Sequence, residues 1–284
     1  MKSGNLRILS TDRLELYIKW WEPAGSPEGV ILLIHGLGEH INRYNHWARL
    51  FNDNGWSFVG FDLRGHGHSE GKRGNGNYED YLNDIETVYK WLKLRYGNLP
   101  RVLYGHSMGG NLALGYAINC KPDIDRLIVT SPWLKLTKPP MVPLVIFAKL
   151  AVKFFPSLTF PNGIFPHQLS RDKNVWEEVL NDPLVHNRIS ISTFLQMQHW
   201  ASFILKNKHK ISIPLLLLHG SRDKITSWKG SNILAQETSE NTCFKIFDNC
   251  FHELHKELNN LEVFDFISSW LNNLKHTNFK SYVS

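Results

Sequence analysis

Residues 101–119 set a short apolar strand, Arg101 to Tyr104, directly before Gly105-His106-Ser107-Met108-Gly109, and a helical pattern then runs to about Asn119. Strand, G-x-S-x-G and helix in that order form a nucleophile elbow. A serine at the top of so sharp a turn sits in a strained backbone conformation. The flanking segments must approach closely, and Gly105 and Gly109 leave room for that. The turn pushes the Ser107 hydroxyl out of the packed surface. The helix opening at Met108 has unpaired first amides that favour any negative charge forming beside Ser107. An isolated G-x-S-x-G also occurs in ordinary Gly-rich turns, so the rest of the chain has to decide its meaning.

The surrounding pattern is that of an α/β protein. Leu14 to Trp20 alternates like a half-buried strand, and Val30 to Ile34 is a continuous apolar run of the kind buried on both faces of a sheet. Trp56 to Phe61, Leu127 to Thr130, Pro214 to His219 and Phe244 to Phe247 read as further strands. Helical patterns span Tyr78 to Tyr96, stopped by Gly97, then Trp228 to Ser239, and Leu258 to Leu274 with Leu261, Phe264, Ile267 and Leu271 facing inward. Alternating strands and helices imply right-handed crossovers and a mostly parallel sheet flanked by helices. Residues 132–211 break the alternation with a proline cluster and an aromatic and aliphatic stretch, Leu144 to Phe155. They are expected to form a helical cap, or lid, over a core made of residues 1–131 and 212–284.

In such a sheet the partners of an elbow serine come from the ends of later strands, in the order Ser, Asp, His. Asp223 follows the strand that ends at His219, and His252 follows the strand that ends at Phe247. Ser107, Asp223 and His252 therefore fall at one sheet edge, where open α/β sheets bind ligands. A serine hydroxyl needs a base, and the base needs an orienting partner, so these three are the candidate triad. Met108 N–H and Leu37 N–H, the latter in His35-Gly36-Leu37-Gly38, are the candidate oxyanion donors. The glycines around residues 65–74 match neither a dinucleotide nor a phosphate-loop spacing and read as structural turns.

Composition excludes several classes. Three widely spread cysteines among 284 residues suggest neither a disulfide framework nor a metal site. The net charge of +6 comes without a basic run interleaved with aromatics, so no nucleic-acid partner is expected; weak attraction to anionic lipid is compatible with it. No apolar leader precedes Ser10 and no run reaches the roughly 18 residues of a membrane span. The expectation is a cytoplasmic protein with peripheral membrane association.

With these residues in view, the chain resembles the α/β-hydrolase serine hydrolases, and among them the monoacylglycerol lipase and lysophospholipase group. The resemblance rests on His35-Gly36-Leu37-Gly38-Glu39-His40, Arg43-Tyr44, Asp62 to Gly71, Gly105 to Gly110, Asp182-Pro183-Leu184, His219 to Asp223 and His252-Glu253, and it spans about Asp12 to Leu274. It implies hydrolysis of a carboxylic ester, with an apolar acyl tunnel under a cap and a polar pocket for the alcohol. By position it makes Ser107, Asp223 and His252 the triad and Leu37 and Met108 the oxyanion donors. Glu39, Arg43 and His255 match positions around the alcohol pocket; a buried salt bridge and a helix-start histidine are their structural alternatives. The group needs no metal or organic cofactor. Asn249 stands where relatives commonly have glycine, and Cys250 is either packed or open to modification. The implied substrate is a monoacylglycerol; a lysophospholipid or a general carboxylic ester is the alternative. A non-catalytic small-molecule receptor is the reading from another class, and its usual mark, a broken triad, is missing.

Overall fold

The structure, a computed structural model, describes residues 2–236, 238 and 242–273. In chain order the core opens with β1 (Lys2–Leu9), β2 (Glu15–Glu22), β3 (Gly29–Ile34), α1 (Asn45–Asp53), β4 (Trp56–Phe61), α2 (Tyr78–Tyr96), β5 (Arg101–His106), α3 (Met108–Cys120) and β6 (Arg126–Thr130). An excursion follows, with α4 (Val142–Ala151), β7 (Thr159–Pro161), α5 (Lys173–Asn181), β8 (Arg188–Ser190) and α6 (Ile191–Lys206). The chain then rejoins the core through β9 (Leu215–Gly220), α7 (Trp228–Ala235), β10 (Thr242–Phe247) and α8 (Asn260–Asn273).

Eight strands form one sheet in the order β1-β2-β4-β3-β5-β6-β9-β10. From β4 to β10 neighbouring strands are parallel, and β2 and β1 add an antiparallel edge. The continuous apolar runs are explained by two-sided burial. Val30, Leu32 and Ile34 face one core with residues of α2, α3 and α6, while Ile31 and Leu33 face the other with residues of α1 and α8. Fully burying each such side chain is worth roughly 1.5–3 kcal/mol, so the central strands hold the sheet edge rigid where the loops begin.

The elements differ from expectation in a few places. The polar N-terminus forms β1, paired with β2 along its whole length. The last helix starts at Asn260, and Leu261 is 58% exposed; Val263, Phe264, Ile267 and Leu271 take the inward face. Ser239 and Leu274, the expected ends of two helices, lie outside the described residues. Asn249 adopts φ 60°, a left-handed conformation that asparagine tolerates. The excursion is not purely helical, since β7 and β8 pair antiparallel. Its last helix, α6, packs into the main core: Trp200 stacks on Tyr78 at 4.1 Å, and Met197 and Ile204 are fully buried.

Candidate active site

Ser107 sits between β5 and α3 with φ 55° and ψ −114°, a conformation that costs a non-glycine residue about 1–3 kcal/mol. Its neighbours hold it there. Ser107 N–H donates to Thr130 O at 3.0 Å, and Ser107 O accepts from the amides of Trp133 (3.0 Å) and Asn111 (3.1 Å). The glycines are needed for close approach: a Cβ on Gly105 would lie 2.4 Å from Gly109 O, and one on Gly109 would lie 2.1 Å from Ile34 O.

The three candidate triad residues meet at the C-terminal edge of β5, β9 and β10. Ser107 Oγ lies 2.8 Å from His252 Nε2, and His252 Nδ1 lies 2.7 Å from Asp223 Oδ2. Burial alone would raise the Asp223 pKa, but His252 and His219 beside it hold the carboxyl far below the usual range. Burial alone would lower that of His252, yet the charge and hydrogen bond of Asp223 outweigh it and the imidazole is raised. With Asp223 ionised and accepting from Nδ1–H, Nε2 of the neutral ring is the free acceptor facing the serine hydroxyl.

Two partners of Asp223 had no role in the sequence reading. Thr226 Oγ1 donates to Asp223 Oδ2 at 2.8 Å, and His219 Nε2 lies 3.2 Å from the same oxygen. Asp223 Oδ1 accepts from the amides of Ile225 (2.8 Å) and Thr226 (3.0 Å). The readable signal was local: an aspartate at the head of a tight turn bonds to amides two and three residues on. Ser131 donates to His252 O at 2.8 Å and ties down the loop that carries His252.

In the chain Met108 directly follows Ser107. Met108 heads α3, and Leu37 lines both of two cavities that meet at the serine. The first, about 590 Å³, is walled by apolar side chains such as Trp133, Val145, Phe160, Ile189 and Phe194. The second, about 580 Å³, carries Glu39, Arg43, Glu253, Asp182 and His186. Ser107, Leu37 and Asn162 belong to both walls.

Arg43 and Glu39 form a buried ion cluster that reaches the wall of the second cavity. Arg43 clasps Glu253 with two 2.7 Å bonds and reaches Glu39 Oε2 at 3.1 Å. Glu39 Oε1 accepts from Gly36 N–H at 2.5 Å and from Tyr44 Oη at 2.9 Å, which pins the loop beside Leu37. Burial pushes the Glu39 carboxyl up to about 7 even though Arg43 opposes the shift. His255, expected at the alcohol pocket, is placed elsewhere. It is fully buried, lines neither cavity, and stacks on Tyr44 at 4.3 Å. Its ring is thus behind the wall rather than part of it, and burial keeps it neutral by lowering its pKa. Cys250 is packed: its thiol is buried, donates to Asn259 Oδ1 at 3.2 Å, and is pushed by burial up to about 11. Among the described residues no group of His, Cys, Asp or Glu has the arrangement of a metal site.

Residues 25–259 match the family model described as serine aminopeptidase, S33. The chain is 30% identical to human monoglyceride lipase, over 93% of this chain and 89% of that protein. It is 33% identical to an uncharacterized abhydrolase domain-containing protein of Dictyostelium discoideum over 95% of this chain, which spans only 29% of that longer protein. Among solved structures, the monoacylglycerol lipase of Paleococcus ferrophilus superposes with a TM-score of 0.82 at 34% identity, covering 90% of this chain and 98% of that one.

Proposed function

From the premise that this chain belongs to the serine aminopeptidase S33 family of α/β-hydrolases, we propose that it hydrolyses the carboxylic ester of a monoacylglycerol to fatty acid and glycerol. The single observation that carries this reading is the position of Ser107 at the junction of a strongly apolar cavity and a second one whose largely apolar wall also carries charged side chains. An acyl chain fits the first and a hydroxyl-bearing alcohol the second, with the ester carbonyl between them. Residues 132–211 act as a cap that supplies much of both walls.

Ser107 Oγ attacks the carbonyl carbon while His252 Nε2 takes its proton, and Asp223 orients the imidazole and stabilises its charge. The amides of Leu37 and Met108 hold the oxyanion; a donor of this kind is worth roughly 3–4 kcal/mol. His252 returns the proton to the departing glycerol oxygen. It then takes a proton from water as that water attacks the acyl-enzyme, and passes it to the departing Ser107 Oγ, which releases the fatty acid and restores the free serine. Glu39 and Arg43 shape the alcohol end. The reaction needs no cofactor.

The aminopeptidase chemistry in the family's description is less well supported. Recognition of a substrate amine calls for an uncommitted carboxylate, and the three on the wall of the second cavity are engaged: Glu39 and Glu253 by Arg43, Asp182 by His40 and by Leu184 N–H. α4 and the residues beside it support peripheral membrane contact. Met141, Val142, Phe147, Leu150 and Phe154 are all more than 60% exposed, and a lipid surface would cover them beside the apolar cavity. Comparing kcat/KM on monoacylglycerols, a lysophosphatidylcholine, a short p-nitrophenyl ester and an aminoacyl amide tests the reading. The highest value should fall on a monoacylglycerol, and preference for lysophospholipid or amide would contradict it.

A further inference from the structure

The loop that carries Leu37 is held from two sides. On the core side, Glu39 accepts from Gly36 N–H. On the other side the contacts come from the excursion, from the turn between α5 and β8. His186 N–H donates to Gly38 O at 2.9 Å, and His40 Nε2 lies 2.8 Å from Asp182 Oδ2. The fit is close: Gly38 has φ +81°, and a Cβ there would lie 2.3 Å from His186 O. Leu37 is therefore bracketed, with Gly36 anchored to the core and Gly38 to the excursion.

The turn is itself built to present these groups. Asp182 Oδ1 accepts from Leu184 N–H at 2.9 Å, and Asp182 O accepts from Val185 N–H at 3.2 Å. One aspartate thus closes the turn with one oxygen and grips His40 with the other. The His186 ring is fixed in one tautomer. Nδ1 accepts from Arg188 N–H at 3.2 Å, so Nε2 carries the proton and donates to Gly65 O at 3.1 Å. His40 Nδ1, buried and without a partner among the described residues, agrees with a neutral ring that donates through Nε2. Asp182, Val185 and His186 also line the second cavity, so the same turn touches the proposed alcohol site and the oxyanion loop.

We propose that the Asp182–His186 turn is a positioning strap for the oxyanion donor Leu37, so that the donor is in place only when the excursion is seated on the core. The proposal rests on the ester-hydrolase reading and deepens it. Walls that bind the substrate and the donor that stabilises its transition state then move as one unit.

The test uses p-nitrophenyl acetate, which is too small to need either cavity wall, with the full chain as wild type, Asp182→Ala, Asp182→Asn and Ser107→Ala. Asp182→Ala should lower kcat at least about tenfold, a fraction of what losing a whole donor costs, with KM changed less than about threefold. The inhibition constant of an alkyl trifluoromethyl ketone, whose oxyanion occupies the hole, should rise by a similar factor. Asp182→Asn, nearly isosteric and able to keep one of the two acceptor roles, should fall between Ala and wild type and report on the folded protein. Melting temperatures measured alongside separate positioning from unfolding. A kcat within about twofold of wild type in both variants overturns the strap, as does a kcat loss with the ketone constant unchanged. Failure of the underlying reading looks different: Ser107→Ala would then still hydrolyse the acetate.

Discussion

At Ser107 the deciding quantity is the protonation state of His252. The imidazole must be neutral to accept the hydroxyl proton, and Asp223 favours its charged form, so its pKa lies above the ordinary histidine value. The base is lost as pH falls through that raised pKa, and kcat/KM should therefore climb with pH along a limb centred above 6.5. Asp223→Asn should lower kcat by about four orders of magnitude, through the wrong tautomer. The residual activity should have its limb at lower pH, because the charge that raises the pKa is gone. A pH–rate profile of both proteins checks the shift, and an unmoved limb would separate the titration from His252. The meeting of Ser107, His252 and Asp223 was legible in the chain because each follows a strand in a fixed order. The Thr226 hydroxyl and His219 were not, because their hold on Asp223 depends on how the turn after β9 folds back.

Among the elements, the short turn at residues 41–44 carries Arg43 into a site otherwise occupied by two buried carboxylates. Removing one partner of a buried ion pair costs about 3–5 kcal/mol, and Arg43→Ala should reduce unfolding free energy by that order in a denaturant titration. A loss below about 1 kcal/mol would mean the cluster is hydrated like a surface pair. At the elbow, Gly109→Ala should displace α3 from β3, because the Ile34 carbonyl is backbone and cannot swing aside. Its expected result is loss of ester turnover together with a lowered melting temperature. The core strands were readable because two-sided burial leaves uninterrupted apolar runs. β1 was not, since its residues are mostly exposed or half-buried and its order comes from the ladder with β2. Arg43 to Glu253 spans 210 residues of chain, and no local pattern announces it.

Over the whole molecule, the exposed apolar residues around α4 lie in a stretch of chain that carries no negative charge. From Arg126 to Arg171 there is no acidic residue, while Lys149 and Lys153 flank the exposed face of α4. No described helix is long and apolar enough to cross a membrane. Leu150→Ser with Phe154→Ser should weaken co-sedimentation with anionic vesicles and leave hydrolysis of a soluble short ester unchanged. Equal vesicle binding by the variant and wild type would remove α4 from the account. The central claim is that Ser107, served by His252 and Asp223, attacks the ester of a monoacylglycerol. The most direct measurement is monoacylglycerol hydrolysis by wild type and Ser107→Ala at matched folding, with mass analysis for a fluorophosphonate adduct. Turnover by the wild type, a loss of at least about 10⁴-fold in the variant and an adduct confined to Ser107 are the predicted result. A variant that retains wild-type turnover, or a wild type that takes no label at Ser107, would contradict it.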